Sequence, residues 1–367
     1  MSADPGYFAT YHRLLQHPPK AGAVAPPPGN DNGRPLNDPA PHPVKPASPS
    51  ATPKRVLLIH YSQTGQLSAV AEQIAAPLKA DPGIDLHVET LVPLTPYPYP
   101  WPFFRFLDAF PESAHLVPPP LQPLSLTGDE HFDLVILPYQ VWFLAPSLPF
   151  TAFLKHPVGR RLLAGKPVVT VIACRNMWLS AHEKVKALLD EAGARLIDNV
   201  ALIDPGPTLA TFITTPRWLL SGKKDGFWGM PAAGLSDDQV RRSRRFGLAL
   251  RDALHTHREQ GPGPLLDGLA AAEVNPSLYF SERAGTRSFF IWGKLIRLAG
   301  GPGRWTRRPL LAIYVVFLIA MIVTLVPTSL ALQALLRPVM RPWLSRIRDR
   351  FEQPSGSATH RLPLYDE

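Results

Sequence analysis

The stretch Arg55-Val-Leu-Leu-Ile-His-Tyr-Ser-Gln-Thr-Gly-Gln-Leu67 decides the fold. It opens with a continuous apolar run, which is typical of a parallel strand buried on both faces. From Leu67 to Leu78 the apolar residues recur at the i, i+3, i+4 and i+7 spacing of one helix face. The sequence therefore predicts a strand, a tight loop and a helix in that order.

The same alternation repeats along the chain. Ser180 with Glu183, and Ser236 with Gln239, match the capping-box pattern that opens helices, and the second helix is predicted to run to about His257. Because strands and helices alternate five times, we predict an α/β fold with a doubly wound five-stranded parallel sheet. The four further strands are predicted at Asp85–Leu91, Phe132–Pro138, Pro167–Ala173 and Leu196–Ile203.

The loop between the first strand and the first helix has the chemistry of a phosphate site. The hydroxyls of Ser62 and Thr64, the loop amides and the positive end of the helix dipole can all bind a phosphate monoester. Gly65 lets the backbone approach such a group closely. The sequence lacks the Gly-x-x-x-x-Gly-Lys and Gly-x-Gly-x-x-Gly patterns, which argues against ATP and NAD(P) as the ligand of this loop.

At this loop the chain resembles the flavodoxin-like superfamily, over about residues 55–257. The first loop of that family has the form Ser/Thr-x-Thr-Gly-x-Thr and binds the phosphate of FMN. Leu67 takes the place of the family's final threonine, which removes one phosphate hydroxyl. The resemblance implies that FMN binds here through Ser62, Gln63, Thr64, Gly65, Gln66 and Leu67.

The resemblance also implies that the loops after the third and fourth strands flank the flavin ring. Both loops lie at strand ends, where open α/β sheets bind ligands. The aromatic rings there are expected to stack on the flavin and the amide side chains to bond its pyrimidine edge, while Arg175 faces a reduced flavin or an acidic substrate. Alternatively, the aromatic residues only pack these loops. The expected residues are Tyr139, Gln140, Trp142, Arg175, Asn176 and Trp178.

Within that superfamily the chain resembles the group named dialkylresorcinol condensing enzymes. The resemblance rests on Tyr139-Gln-Val-Trp-Phe143, Cys174-Arg-Asn-Met-Trp178, Thr215-Pro-Arg-Trp218 and Met230-Pro-Ala-Ala-Gly234. The name implies carbon–carbon bond formation, but Cys174 lacks the glycine-flanked elbow of a nucleophile. A flavin instead accepts hydride from carbon, so the expected reaction is the aromatising oxidation of a cyclic intermediate in dialkylresorcinol or aryl-polyketide lipid biosynthesis.

Two other functions remain open at this point. One is an NAD(P)H-dependent quinone reductase, and the other is a flavin-free membrane-tethered scaffold for biosynthetic partners. The single cysteine excludes an internal disulfide, and the histidines show no ligand spacing, so we expect no metal. His182, on a helix after the Cys174 loop, is the only candidate proton carrier, and an exposed helix histidine is the plainer interpretation.

The basic residues cluster around an apolar segment near the C-terminus, although the chain as a whole carries a formal charge of +9. Leu310–Leu336 has no charged residue and is long enough to span a bilayer. The apolar segment with its flanking cations predicts a membrane as a partner, together with an apolar aromatic or lipid-like substrate. No nucleic-acid motif occurs, so we predict that the protein does not bind nucleic acid. The flanking cations are Arg283, Arg287, Lys294, Arg297, Arg304, Arg307 and Arg308 before it, and Arg337, Arg341, Arg346, Arg348 and Arg350 after it.

These signals predict five regions. A disordered proline-rich leader covers 1–53, and no secretory signal is visible, so the catalytic domain is expected in the cytoplasm, attached to a membrane. The flavodoxin-like domain carries aromatic insertions that form either lids or packed excursions. The apolar helix either spans the membrane, re-enters it or attaches to one face, and the alternative is a buried helix of a globular domain. The later regions are the domain at 54–260 with insertions at 92–130 and 205–235, a basic linker with an interfacial helix at 261–308, a transmembrane or membrane-anchoring helix at 309–336, and a basic then polar tail at 337–367.

Overall fold

The computed structural model describes residues 52–365, so the predicted leader lies outside the described residues except for its last two positions. The centre of the fold is a mainly parallel sheet, and its strands β1, β3 and β5 are buried over most of their length. The strands are β1 (Lys54–His60), β2 (Ile84–Thr90), β3 (Leu134–Trp142), β4 (Ala145–Pro146), β5 (Pro167–Cys174) and β6 (Arg195–Ile203).

The strand order is β2-β1-β3-β5-β6, with the two-residue strand β4 paired antiparallel to the end of β3. All other pairs are parallel. Counting only the five parallel strands, the order is 2-1-3-4-5, which is the flavodoxin-like doubly wound order. The predicted fold class is therefore confirmed by the topology.

Helices connect the strands and continue beyond the last one. The helix that follows the phosphate-type loop buries the face that its periodicity predicts, including Leu67, Val70, Ile74 and Leu78. The helices of the domain are α1 (Gln66–Lys79), α2 (Phe103–Asp108), α3 (Phe110–Ala114), α4 (Leu148–Lys155), α5 (Pro157–Leu163), α6 (Leu179–Glu191), α7 (Thr208–Ser221), α8 (Asp237–Arg242) and α9 (Arg244–His255), followed by α10 (Tyr279–Leu298), α11 (Arg308–Leu335) and α12 (Arg337–Glu352).

The close crossing of α9 over α1 supports a prediction about stability. A Cβ atom at Gly247 would lie 2.1 Å from the carbonyl oxygen of Ile74, which is closer than real side chains approach. Gly247→Ala must push the helices apart, so we expect a loss of about 1–3 kcal/mol in unfolding free energy, although alanine favours helices. Urea unfolding followed by circular dichroism measures it.

Gly301→Ala is the matched control, because nothing lies within 4 Å of its Cβ position. That variant should stay within about 0.5 kcal/mol of the parent. Equal losses in the two variants would show that the helix crossing is not the cause.

One of the two predicted helix starts is correct. Ser236 caps α8 with both hydrogen bonds of the Ser236–Gln239 capping box, although the helix predicted to reach His257 is divided into α8 and α9. The predicted Ser180–Glu183 box is wrong, because α6 already begins at Leu179. A distant carboxylate replaces it: the Ser180 amide donates a hydrogen bond to Oε1 of Glu282 in α10.

The predicted linker and tail both contribute to the globular domain. Leu265, Leu266, Leu269 and Ala271 lie in the core that packs against the sheet. After α12 the chain returns to them, since the Ala270 and Ala272 amides donate to the carbonyl oxygens of Ala358 (2.7 Å) and Gly356 (3.0 Å). The domain therefore extends well past residue 260.

Helices α10 and α11 form an apolar layer with α2 and α3. Helix α10 includes the predicted interfacial helix, and Phe289 on it packs with Phe110 of α3 and Tyr314 of α11. Among the described residues, one segment, Trp305–Ser329, is long and apolar enough to cross a membrane by length and composition. Arg307, just before α11, is fully buried, unlike the other predicted flanking cations whose side chains the structure describes.

Candidate functional site

The candidate site lies at the carboxyl edge of the sheet, where β1 and β3 are neighbours. This is the point at which the strand order reverses, and open α/β sheets bind ligands there. The loop after β1 contacts the end of β3 and both aromatic insertions, and the loop after β5 lies at the same edge of the sheet. These segments contain all twelve residues predicted to bind FMN.

The loop after β1 has a backbone shape suited to an anion. Gly65 is the N-cap of α1 and has φ +84°, a conformation that side chains rarely adopt, and nothing lies within 4 Å of its Cβ position. The hydroxyl of Ser62 is buried and has no hydrogen-bond partner among the described residues. The first amides of α1 have no intrahelical acceptor. A buried hydroxyl, free amides and a helix dipole thus converge beside open space.

Three of the predicted loop residues use their side chains to hold the loop. Gln63 donates to the carbonyl oxygen of Pro98 (2.8 Å), and Gln66 exchanges two hydrogen bonds with the backbone of Leu235 (3.1 and 3.0 Å). Leu67 is 1% exposed and lies in the core. Only the backbone of these three residues is available to a phosphate. Thr64 accepts a long bond, 3.5 Å, from the Gln66 amide.

Two predicted stacking residues lie in the core, not at the edge. The ring of Tyr139 is fully buried and stacked on Phe150, with centroids 4.9 Å apart. Trp178 is 1% exposed and contacts the ring of His182 edge-on at 5.6 Å. Their rings are therefore not placed to stack on a ligand. The alternative that aromatic residues only pack these loops holds for this pair.

Trp142, in contrast, lies at the edge and belongs to what we call the aromatic cluster: Tyr61, Tyr97, Trp101 and Trp142. The Trp142 ring contacts the other three edge-on, at centroid distances of 6.0, 5.1 and 5.5 Å. Its Nε1 donates to Oε1 of Gln140 at 3.3 Å. Sequence reasoning predicted the 92–130 insertion as a lid or a packed excursion, but did not assign Tyr97 and Trp101 to the site.

The two insertions contact each other above this cluster. The amide of Trp101 donates to the carbonyl oxygen of Leu219 in α7 at 2.8 Å. A Cβ atom at Gly222 would lie 3.1 Å from Cγ of Pro100. The two aromatic insertions thus form one cover over the carboxyl edge of the sheet.

The loop after β5 carries a cation and an unpaired amide oxygen. The Arg175 guanidinium lies 3.9 Å from the ring centroid of Phe212, and burial lowers its pKa to about 10 although Asp204 opposes this. Asn176 donates to the Thr208 hydroxyl at 3.1 Å, while its Oδ1 is buried without a partner among the described residues. The site therefore offers a persistent positive charge and an unused acceptor.

The two candidate reactive groups are both held neutral. Burial raises the pKa of the Cys174 thiol, and Glu282 raises it further, so no thiolate forms at neutral pH. Burial lowers the pKa of His182 to about 3, and neither ring nitrogen has a hydrogen-bond partner among the described residues. The interpretation of His182 as an exposed helix histidine is wrong, because the ring is 1% exposed. In the part of the chain that the structure describes, no group of three or more His, Cys, Asp or Glu is placed to hold a metal.

A cavity lies next to the aromatic cluster. Its volume is about 560 Å³, and it opens between the 92–130 insertion and the loop that follows α10. Tyr97 and Trp101 of the aromatic cluster form part of its wall. The charged side chains that line it are Arg105, Asp108, Glu112 and Arg297.

Comparisons with known proteins identify similar solved structures. No protein-family model and no curated protein matches the sequence. A flavoprotein in complex with FMN from Lactobacillus acidophilus is 16% identical and covers 40% of this chain and 93% of its own, with a TM-score of 0.34. An archaeal flavodoxin is 11% identical over 55% and 99% (TM-score 0.31), and oxidised flavodoxin 1 from Bacillus cereus is 17% identical over 53% and 95% (TM-score 0.29).

Proposed function

We propose that this protein is an FMN-binding flavodoxin-like oxidoreductase that works at a membrane surface. The observation that carries the proposal is the buried, unpaired Ser62 hydroxyl beside the positive-φ Gly65, at the N-terminus of α1 and at the β1–β3 switch point. Such loops bind phosphate groups through a hydroxyl, backbone amides and the helix dipole. The loop has no lysine, the residue that a P-loop uses to bind the β- and γ-phosphates of a nucleotide, so its composition suits a single terminal phosphate monoester.

The residues present fit FMN at both ends of the molecule. Ser62, Thr64 and the first amides of α1 would hold the phosphate. The unpaired Oδ1 of Asn176 would accept from the pyrimidine edge of the ring, and Trp142 would flank the ring. Bound FMN would supply a two-electron acceptor, so that a cyclohexanedione-type ring that gives up one hydride and one proton becomes a resorcinol.

The protein's own groups favour this chemistry over covalent catalysis. Arg175 stays protonated at neutral pH and can stabilise negative charge that develops at the ring. Cys174 stays a thiol, so it is not a nucleophile for condensation. An aromatising oxidation in dialkylresorcinol or aryl-polyketide lipid biosynthesis therefore suits the site better than carbon–carbon bond formation.

The substrate is proposed to be an apolar aromatic or lipid-like molecule that enters through the 560 Å³ cavity. That volume is typical of pockets for small organic ligands. Tyr97 and Trp101 line the cavity and also contact Trp142, so they connect it to the candidate flavin site. Arg105 and Arg297 can bind the polar end of the substrate.

Flavin binding can be tested directly on the full chain. We expect wild-type protein to quench the fluorescence of added FMN, and Thr64→Arg to abolish binding because the long side chain fills the phosphate position. Ser62→Ala should weaken binding by about tenfold through loss of one charge-assisted hydrogen bond. Titration with FMN, with circular dichroism as the check on folding, measures both effects.

Thr359→Arg is the control, because it adds the same charge at an exposed position of the tail. It should bind FMN as the wild type does. Retained binding in a folded Thr64→Arg variant, or no binding by the wild type, would contradict the phosphate-loop proposal.

The burial of Tyr139 and Trp178 supports a second candidate function, a flavin-free scaffold tethered to a membrane, because two expected ring contacts are missing. Anaerobic bleaching of bound flavin by a 2,5-dialkylcyclohexane-1,3-dione would support the aromatising oxidation. Rapid quinone reduction by NADH would instead indicate an NAD(P)H quinone reductase. A protein that binds no flavin would leave the scaffold as the better proposal.

A further inference from the structure

The apolar helix α11 is attached to the globular domain at both of its ends. Immediately before it, buried Arg307 forms ion pairs with Asp108 (3.1 Å) and Glu112 (2.9 Å). Near the other end, the hydroxyl of Ser329 lies 2.7 Å from that of Ser281 at the start of α10. Helix α11 therefore runs antiparallel to α10, along the side of the domain.

The chain that follows α11 also returns to the same domain. Trp343 of α12 stacks on Phe280 of α10, with ring centroids 4.7 Å apart. Further on, the hydroxyl of Ser355 donates to Oδ1 of Asp198 in β6 at 2.7 Å. Residues on both sides of the apolar helix thus contact the same sheet and helices.

This connectivity is incompatible with a single transmembrane span. A span would put the residues before and after α11 on opposite sides of a hydrocarbon layer about 30 Å thick. The contact between Ser355 and Asp198 could then not form. A helix of 28 residues, about 42 Å long, that lies against the domain must instead meet a membrane sideways.

The outward face of α11 is apolar and continues onto α10. Trp305, which is 73% exposed, lies beside this face, and tryptophan is enriched at membrane interfaces. We call this surface the apolar ridge; its exposed residues are Ile291, Leu295 and Leu298 of α10 and Ile313, Val316, Phe317, Ile319, Val323, Leu332 and Leu335 of α11.

Exposed cations adjoin the apolar ridge. Among the side chains that the structure describes in 279–308 and 337–352, the one exposed acid is Asp349, and the exposed cations outnumber it, so the ridge has a net positive border. An apolar face with a basic border matches a membrane surface that contains anionic lipids. The cations are Arg287, Lys294, Arg304, Arg308, Arg341, Arg346 and Arg348.

We propose that the apolar ridge lies in the plane of one leaflet of an anionic lipid bilayer, with the whole chain from β1 to the tail on the same side. The proposal rests on the membrane attachment named under the proposed function, but not on flavin binding. The 560 Å³ cavity is lined by Arg297 and Gly300–Gly303, at the C-terminal end of α10. The proposal therefore places the mouth of this cavity close to the membrane surface.

The lipid contact is tested by flotation of the full chain with vesicles of phosphatidylcholine, with or without phosphatidylglycerol. We expect the wild type to float with the anionic vesicles. Val316→Glu/Val323→Glu should reduce partitioning by at least about tenfold, because charged side chains are costly in the hydrocarbon. Arg287→Gln/Lys294→Gln should reduce it by about fivefold per charge, and only on anionic vesicles.

Leu209→Glu/Ile213→Glu is the matched control, since these side chains on α7 are similarly exposed, at 59% and 54%. It should float as the wild type does. An equal loss of flotation in Val316→Glu/Val323→Glu and Leu209→Glu/Ile213→Glu, or no flotation of the wild type, would overturn the proposal. So would a dimer in solution that Val316→Glu/Val323→Glu dissociates, because the ridge would then bind a second copy. FMN titration is independent of all these readouts.

The one-sided topology is tested by labelling with a membrane-impermeant maleimide. Single cysteines are placed at Asp238 in α8 and at Thr359 in the tail, both exposed, in a Cys174→Ala background. The chain is synthesised in the presence of preformed anionic vesicles. We expect both cysteines to be labelled without detergent. Labelling of Thr359→Cys only after detergent is added would show that α11 spans the membrane, and would overturn the proposal.

Discussion

Arg307→Met is expected to lower the free energy of unfolding by about 3–5 kcal/mol at pH 7.5, because it leaves the buried carboxylate of Glu112 and the partly buried one of Asp108 without their closest counter-ion. The guanidinium of Arg307 is fully buried between Asp108 and Glu112, and Arg297 lies farther from Glu112, at 3.7 Å. For a domain of this size, the apparent Tm should fall by roughly 10 °C. Thermal unfolding followed by circular dichroism measures it.

The pH dependence of this loss follows from Glu112. Burial raises the pKa of Glu112, while Arg307 opposes the rise. Without Arg307 the pKa in the folded state must rise further above its unfolded value. A carboxyl group of that kind stabilises the fold at low pH, and this stability is lost as the pH rises through the folded pKa. The loss caused by Arg307→Met should therefore be smaller at pH 5 than at pH 7.5.

Two further variants separate the ion pair from the shape of the side chain. Arg307→Met/Asp108→Asn/Glu112→Gln removes all three charges and should recover most of the lost stability. Arg304→Met changes an exposed arginine three residues away and should stay within about 0.5 kcal/mol of the parent. A loss that is independent of pH, or that the triple variant does not reduce, would show that packing and not charge dominates.

Arg307 also illustrates what the sequence could not predict. By composition it is one of seven cations before an apolar segment, and all seven were predicted to flank a membrane. Its partners lie about 200 positions earlier in an insertion, and no local pattern points to them. The same holds for Glu282, which caps α6 across 102 positions. Contacts that depend on tertiary packing leave no periodic signal.

The fold itself was predictable because it follows from local patterns. The apolar run before Tyr61 and the helical spacing after Leu67 are short-range signals, and five repeats of them restrict the topology strongly. The site was predictable only in part. Gly65 and Ser62 stand in a motif, whereas Tyr139 and Trp178 are aromatic residues whose position in the core or at the edge depends on side-chain direction. Tyr139 lies in β3, a strand buried over most of its length, where no alternation of apolar and polar residues reveals the side-chain direction, and Trp178 lies in a loop, which has no periodicity at all.

Asp198→Ala is expected to lower the free energy of unfolding by about 3–6 kcal/mol, since three buried donors lose their acceptor at about 1–3 kcal/mol each. The fully buried Asp198 carboxylate in β6 accepts hydrogen bonds from the amides of Leu265 (2.7 Å) and Leu266 (3.1 Å) and from the hydroxyl of Ser355 (2.7 Å). It therefore joins the sheet to both segments that were predicted to lie outside the domain. Urea unfolding measures the loss.

The sign of the pH dependence distinguishes this carboxylate from a surface ion pair. Burial raises the pKa of Asp198 to about 6 despite its hydrogen bonds. Because the folded pKa exceeds the unfolded one, the stability linked to this group is complete below about pH 4 and falls as the pH rises through 6. The loss caused by Asp198→Ala should thus be larger at pH 4.5 than at pH 7.5.

Asp238→Ala, at an exposed position of α8, is the control and should show neither the loss of stability nor its dependence on pH. A loss for Asp198→Ala below about 1 kcal/mol would mean that the attachment of the tail and of residues 261–275 does not depend on this carboxylate, and that their core contacts and backbone hydrogen bonds hold them instead.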